Sequence, residues 1–128
     1  MIRFLILILI TISISVNAQT ETIIAWDVSL SMKERDLEKE FDFITKYFDR
    51  YQDTQVTVLQ FNNVTLSETK FTVTDGDWSA IKTLLESSQY NGATSYHLLN
   101  NISSTSTTLL FTDGKENINI KTAKGIQI

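Results

Sequence analysis

The chain contains no cysteine. Its absence removes disulfides as a way to hold a small domain together, rules out zinc sites built on thiolates, and leaves no thiol to carry a lipid anchor. Histidine is nearly absent too. His97 is the single copy, and no G-x-S-x-G segment accompanies it. A hydrolytic triad therefore lacks its parts, and His97 is expected to be a surface or packing residue. Basic residues are outnumbered, 11 Lys and Arg against 15 Asp and Glu, and they form no run. With a formal charge of −4, an electrostatic hold on nucleic acid or anionic membrane is disfavoured. Neither G-x-x-x-x-G-K-S/T nor G-x-G-x-x-G occurs, so nucleotide binding has no phosphate cradle.

The rest is ordinary globular composition. Hydrophobic residues make up 42% and charged residues 20% of 128 positions. That length suits one domain with a real core and leaves no room for a second. The first eighteen residues read differently from the others. Arg3 provides a small positive start, Phe4 to Val16 (FLILILITISISV) is apolar and uncharged, and Val16-Asn17-Ala18 offers small residues for signal peptidase. The apolar run is shorter than the roughly 20 residues a membrane-spanning helix needs. Residues 1–18 are thus expected to be a cleaved signal peptide, with no transmembrane span in the mature chain. Residues 19–128 form the domain, outside the cytoplasm, whether secreted, periplasmic or at the cell surface.

Along the mature chain, strands and helices alternate. Thr22 to Trp26 (TIIAW), Val56 to Phe61 (VTVLQF) and Thr108 to Thr112 (TLLFT) are nearly continuous apolar runs, the mark of strands covered on both faces. Phe71 and Val73 alternate with Thr72 and Thr74, which predicts a half-exposed edge strand. Leu37, Phe41, Ile44, Phe48 and Tyr51 recur at helical spacing, and Ser31 with Glu34 matches the S-x-x-E capping box for that helix. Asp77 is placed to cap a second helix carrying Trp78, Ile81, Leu84 and Leu85. A short helical stretch is expected around Tyr96 to Ile102. Trp26, Trp78, Phe41, Phe43, Phe48 and Tyr47 are read as core and helix-face aromatics. Asn63-Val64-Thr65 and Asn101-Ile102-Ser103 match the glycosylation sequon, which has meaning only in some cells. The alternation predicts an α/β fold: a three-layer, doubly wound, mostly parallel sheet.

Two of the buried strands end in carboxylates, Asp27 and Asp113. In parallel sheets ligands bind beyond the carboxyl ends of the strands, so both acids belong at the functional edge. Asp27-Val28-Ser29-Leu30-Ser31 sets one carboxylate and two hydroxyls at alternate positions. Hard cations such as Mg²⁺ take oxygen ligands, usually with one or two carboxylates and some retained water. Taken alone, this D-x-S-x-S is a weak signal, because a turn residue at Asp27 and a helix cap at Ser31 account for it without any metal.

The order of these motifs resembles the von Willebrand factor A family with its metal-ion-dependent adhesion site. The resemblance runs from about Thr22 to Asn117. It rests on Asp27, Ser29 and Ser31, on Thr94 in Asn91-Gly92-Ala93-Thr94, on Asp113 in Thr112-Asp113-Gly114, and on Phe61 closing its strand. It implies a Rossmann-like sheet with one Mg²⁺ or Mn²⁺ held by Asp27, Ser29, Ser31, Thr94 and Asp113. It further implies a binding module, not an enzyme, whose ion captures an acidic residue of a partner protein. Leu30 departs from the family, which commonly has Gly between the serines. The family's later strands and helices have no counterpart in the fifteen residues after Asp113, where Gly125-Ile126-Gln127-Ile128 looks like the start of one more strand. The domain is therefore expected to be C-terminally incomplete, truncated after its fourth or fifth strand, with further domains of the same polypeptide to come after it. The alternative is a structural segment of a larger cell-envelope protein with an unused metal site. An Mg²⁺-dependent hydrolase is a third reading, weakened because Ser29 stands where such phosphatases need a second carboxylate.

Overall fold

β1 (Glu21–Asp27) is the middle of the sheet, and its neighbours explain its composition. It pairs in parallel with β2 (Thr54–Phe61) on one side and with β4 (Thr107–Phe111) on the other. β3 (Leu66–Val73) runs antiparallel along β2, and β5 (Ile126–Gln127) pairs in parallel with β4, giving the order β3-β2-β1-β4-β5. The computed structural model describes residues 21–102, 105–114 and 126–127; the expected signal peptide lies outside them. Among the described residues no helix is long and apolar enough to cross a membrane.

Successive residues of a strand point to opposite faces, so β1 feeds two separate cores. Ile24 and Trp26 join Val56, Val58, Leu109 and Phe111 on one face, against Ile44 and Phe48 of α1 (Leu37–Arg50) and Ile81 and Leu85 of α2 (Ser79–Glu86). Ile23 and Ala25 join Leu59, Phe61 and Leu110 on the other, where Tyr96 and Leu99 cover them. Each large side chain buried in this way contributes about 1.5–3 kcal/mol. Trp26 is the hub of the helical face, stacked at 6.2 Å on Phe41 and tilted at 5.3 Å on Phe111.

The mixed α/β architecture and mostly parallel sheet match expectation, as does the edge strand, which extends over the whole of Leu66–Val73. The layering is described only in part: residues 115–125, between β4 and β5, lie outside the described residues, and the two helices that are described, α1 and α2, pack on the same face. The cause is the antiparallel β3. Its end, Val73, lies opposite Thr54 at the start of β2, so α2 sets out from the amino edge of the sheet and climbs to the carboxyl edge. Gly76 N–H donating to Gln52 O marks the lower end, and Asn91 N–H donating to Val28 O marks the upper. The chain then crosses the top of the sheet and descends the other face through a 3-10 turn at His97–Leu99.

Three local expectations also change. The helix does not start at Ser31 and Glu34. Ser29 O and Leu30 O are taken by Met32 and Lys33 N–H in a 3-10 turn, which delays α1 until Asp36 caps it by accepting from Lys39 N–H at 3.1 Å. Asp77 sits one residue before the α2 cap position, Trp78, and its carboxylate accepts from Ser79 N–H at 3.0 Å. Phe43 is half exposed and Tyr51 likewise, so neither is core.

Candidate metal centre

The strand order reverses between β1 and β4, which both start new directions of growth from the sheet's middle. Backbone connections leave in opposite directions from such a switch point and open a crevice beyond the strand ends. Asp27 is the last residue of β1 and is 0% exposed. Its Oδ1 accepts from Ser29 N–H at 2.9 Å, while Thr112 Oγ1 donates to Oδ2 at 2.7 Å and Thr94 Oγ1 lies 3.3 Å from the same oxygen. Thr94 Oγ1 is also 2.7 Å from Ser29 Oγ, which is 3.1 Å from Ser31 Oγ. Asp27, Ser29, Ser31 and Thr94 thus form one continuous chain of oxygens. Asp113 stands exposed at the rim, one residue past Thr112.

Thr94 reaches Asp27 across 67 residues of sequence because the loop crossing the sheet is clamped from both sides. Leu30 N–H donates to Gly92 O, and Asn63 N–H donates to Ala93 O while Asn63 Oδ1 accepts from Ala93 N–H. Beneath them, buried Asn62 bonds four ways. Its amide donates to Asn91 O and Asn91 Oδ1, and its oxygen accepts from Val64 and Thr65 N–H. Gly92 has φ 73°, and a Cβ there would come within 2.7 Å of Asn63 Oδ1, so the close approach requires glycine.

Sequence reasoning missed Arg35. Its side chain is 2% exposed, lies 3.5 Å above the Trp26 ring, and pairs twice with Glu40 at 2.6 and 2.9 Å. Nη1 donates to Asp27 O at 2.8 Å, and Nη2 stands 3.5 Å from Phe111 O. Arg35 therefore holds together the ends of β1 and β4, the two strands that carry the cluster. Nothing in the periodicity marks it, since it lies between a 3-10 turn and α1. Asn62 was missed as well, though an asparagine directly after a strand is a recognisable turn former. His97 is half-buried, with Nδ1 2.8 Å from Ser95 Oγ.

Charge decides what the cluster can hold. The ion pairs among the described residues lie elsewhere, and Arg35 touches the backbone oxygen of Asp27 and not its carboxylate. A buried carboxylate without a cation is costly even when hydrogen-bonded. Among the described residues no three His, Cys, Asp or Glu groups converge, so any ion here is held mainly by hydroxyls. The spacing fits that task. Neighbouring ligands of an octahedral Mg²⁺ at about 2.1 Å are separated by about 3 Å. The oxygen–oxygen distances along the chain run from 2.7 to 3.3 Å. A groove of about 370 Å³, lined by Asp36, Lys39, Glu40, Phe43 and Phe111 among others, shares only Thr112 with the cluster. Its two carboxylates are already engaged, Glu40 by Arg35 and Asp36 as the cap of α1. Compared with models of known families and with curated proteins, the chain matches none.

Proposed function

We propose that this domain is a von Willebrand factor A-like binding module that holds one Mg²⁺ or Mn²⁺ and uses it to capture a carboxylate of a partner protein. The observation that carries the proposal is Asp27: fully buried, at a strand end on the switch point, ringed by hydroxyls and paired with no cation among the described residues. Asp27, Ser29, Ser31, Thr94 and Asp113 are the residues to hold the ion, which supplies a Lewis-acidic anchor for an incoming acid. Three of these five donors are neutral hydroxyls, so the ion is neutralised less than in an all-carboxylate cage and keeps its attraction for an anion. Binding and not turnover is the proposed role, because position 29 is a serine and offers no second carboxylate for proton transfer. The leader-like residues 1–18 support a place outside the cytoplasm, and the chain's negative charge supports a protein partner over nucleic acid.

The competing reading is a structural cluster with no ion, favoured by the way Thr94, Ser29 and Ser31 already bond one another. Electron paramagnetic resonance of Mn²⁺ separates the two. One bound Mn²⁺ per chain, displaced by Mg²⁺ and absent in Asp27→Asn, is expected. A free-ion spectrum at millimolar Mn²⁺ with the native protein rejects the proposal.

A further inference from the structure

β3 is the outer edge of the sheet. It pairs with β2 along its whole length, from Leu66 opposite Phe61 to Val73 opposite Thr54, with no break in register. Among the described residues no strand pairs with its other side. An edge of this kind presents backbone N–H and C=O groups to any strand that can approach, and proteins blunt it with proline, bulges, short strands or charge. β3 has eight residues, no proline and no bulge, so charge is the device that remains. That charge is balanced. Glu68 and Lys70 lie two residues apart on one face, their side chains 54% and 77% exposed. Their mutual contact, at 3.9 Å, is an exposed one that holds neither group firmly. Two opposite charges at this spacing distinguish one strand direction from the other. A second β3 laid parallel and in register sets Glu68 against Glu68 and Lys70 against Lys70, which destabilises the pair. Laid antiparallel and centred on Thr69, it sets Glu68 against Lys70 twice, once on each side of a twofold axis. The same register puts Leu66 opposite Thr72 and Ser67 opposite Phe71, so no charge meets an apolar side chain.

We propose that β3 is a homotypic interface: a second copy of this chain adds its own β3 antiparallel, centred on Thr69, so that one sheet runs through both copies. The axis uses the same edge of each copy and closes the pair at two. Backbone hydrogen bonds supply the attraction, and Glu68 with Lys70 selects the direction and register. Strand direction then fixes the rest of the assembly. β1, β2 and β4 run opposite ways in the two copies, so their carboxyl ends, with the Asp27 clusters, face opposite sides. The interface does not depend on whether those clusters hold an ion.

Sedimentation equilibrium of the native protein at low salt, over a wide range of concentration, is expected to show monomer and dimer and nothing larger. Glu68→Lys alone and Lys70→Glu alone each bring like charges together twice, and each should weaken the dimer at least about tenfold. Mixed in equal amounts, the two variants set the lysines of one against the glutamates of the other and should recover the native affinity. The chain has no cysteine, so single cysteines report the register. Oxidised with copper phenanthroline, Thr69→Cys is expected to give a disulfide-linked dimer. Ser67→Cys, about 14 Å from its counterpart in this register, should give none. A monomer at every concentration overturns the proposal, as does a dimer indifferent to both charge reversals. Failure of the mixture to recover affinity, or linkage through Ser67→Cys in place of Thr69→Cys, overturns the register and with it the proposal. All four substitutions lie on the sheet edge, and thermal melts matching the native one verify that the variants fold.

Discussion

Both edges of the sheet are rich in hydroxyls, yet they differ in kind. At the amino edge, Thr22 Oγ1 lies 2.9 Å from Tyr47 OH and 3.4 Å from Thr54 Oγ1, while Thr57 and Ser106 each donate to a different oxygen of Glu21. Glu21 is exposed, so water solvates its charge. At the carboxyl edge the carboxylate is Asp27, cut off from water, and the hydroxyls converge on it and on each other. Hydroxyl density alone therefore does not make a centre. Convergence on a buried, uncompensated charge does, because only there would a cation relieve a penalty that water cannot.

Substitutions can break this contrast, and Arg35→Met should do so most strongly. It leaves Glu40 unpaired in a partly buried position and frees the carbonyl ends of β1 and β4. A loss of about 3–5 kcal/mol in stability is expected from the urea midpoint. Next comes Asp27→Asn, which preserves the shape of the cluster and removes its charge. The native protein should gain about 2.7 kcal/mol at a hundredfold excess of Mg²⁺ over its Kd, and the variant should gain none. Asn62→Ala strips partners from Val64, Thr65 and Asn91, and should lower stability by about 1–3 kcal/mol while weakening Mn²⁺ binding. At the other edge, Thr22→Val should cost about 1 kcal/mol or less and leave the metal response untouched, because among the described residues its hydroxyl serves Tyr47 and Thr54. A changed metal response there would dissolve the distinction between the edges.

The smallest expected effect lies away from both edges. The Ser79 hydroxyl, and then the Ser79 backbone N–H, hold the Asp77 carboxyl below the usual carboxylate range. Its contribution to stability is present above the unfolded-state value and fades as pH falls through the lower folded-state one. Asp77→Asn should therefore lower stability slightly at neutral pH and flatten the acid limb, the difference from the native protein vanishing at the acid end, as followed by thermal melts across that limb.

Much of this was legible in the residues. β1, β2 and β4 announce themselves because strands covered on both faces must be apolar throughout, and Ile44 with Phe48, or Ile81 with Leu85, mark buried helix stripes. The convergence of Asp27, Ser29, Ser31 and Thr94 was legible through motif order. Which face α2 takes was not, because it depends on the direction of β3, and a largely exposed strand encodes direction weakly. Nor was the start of α1, since Ser31 and Glu34 satisfy a local capping pattern that the 3-10 turn pre-empts. Arg35 stayed hidden for a deeper reason. A buried guanidinium is specified by its surroundings in space, Trp26, Glu40 and two strand-end carbonyls, and by no spacing along the chain.

Thermal unfolding of the native protein and of Asp27→Asn, each with and without Mg²⁺, bears most directly on the difference between the two edges. Saturating Mg²⁺ should raise the native midpoint by about 10 °C and leave Asp27→Asn unmoved. An unmoved native midpoint, or an equal rise in both proteins, would contradict a cation centre at Asp27.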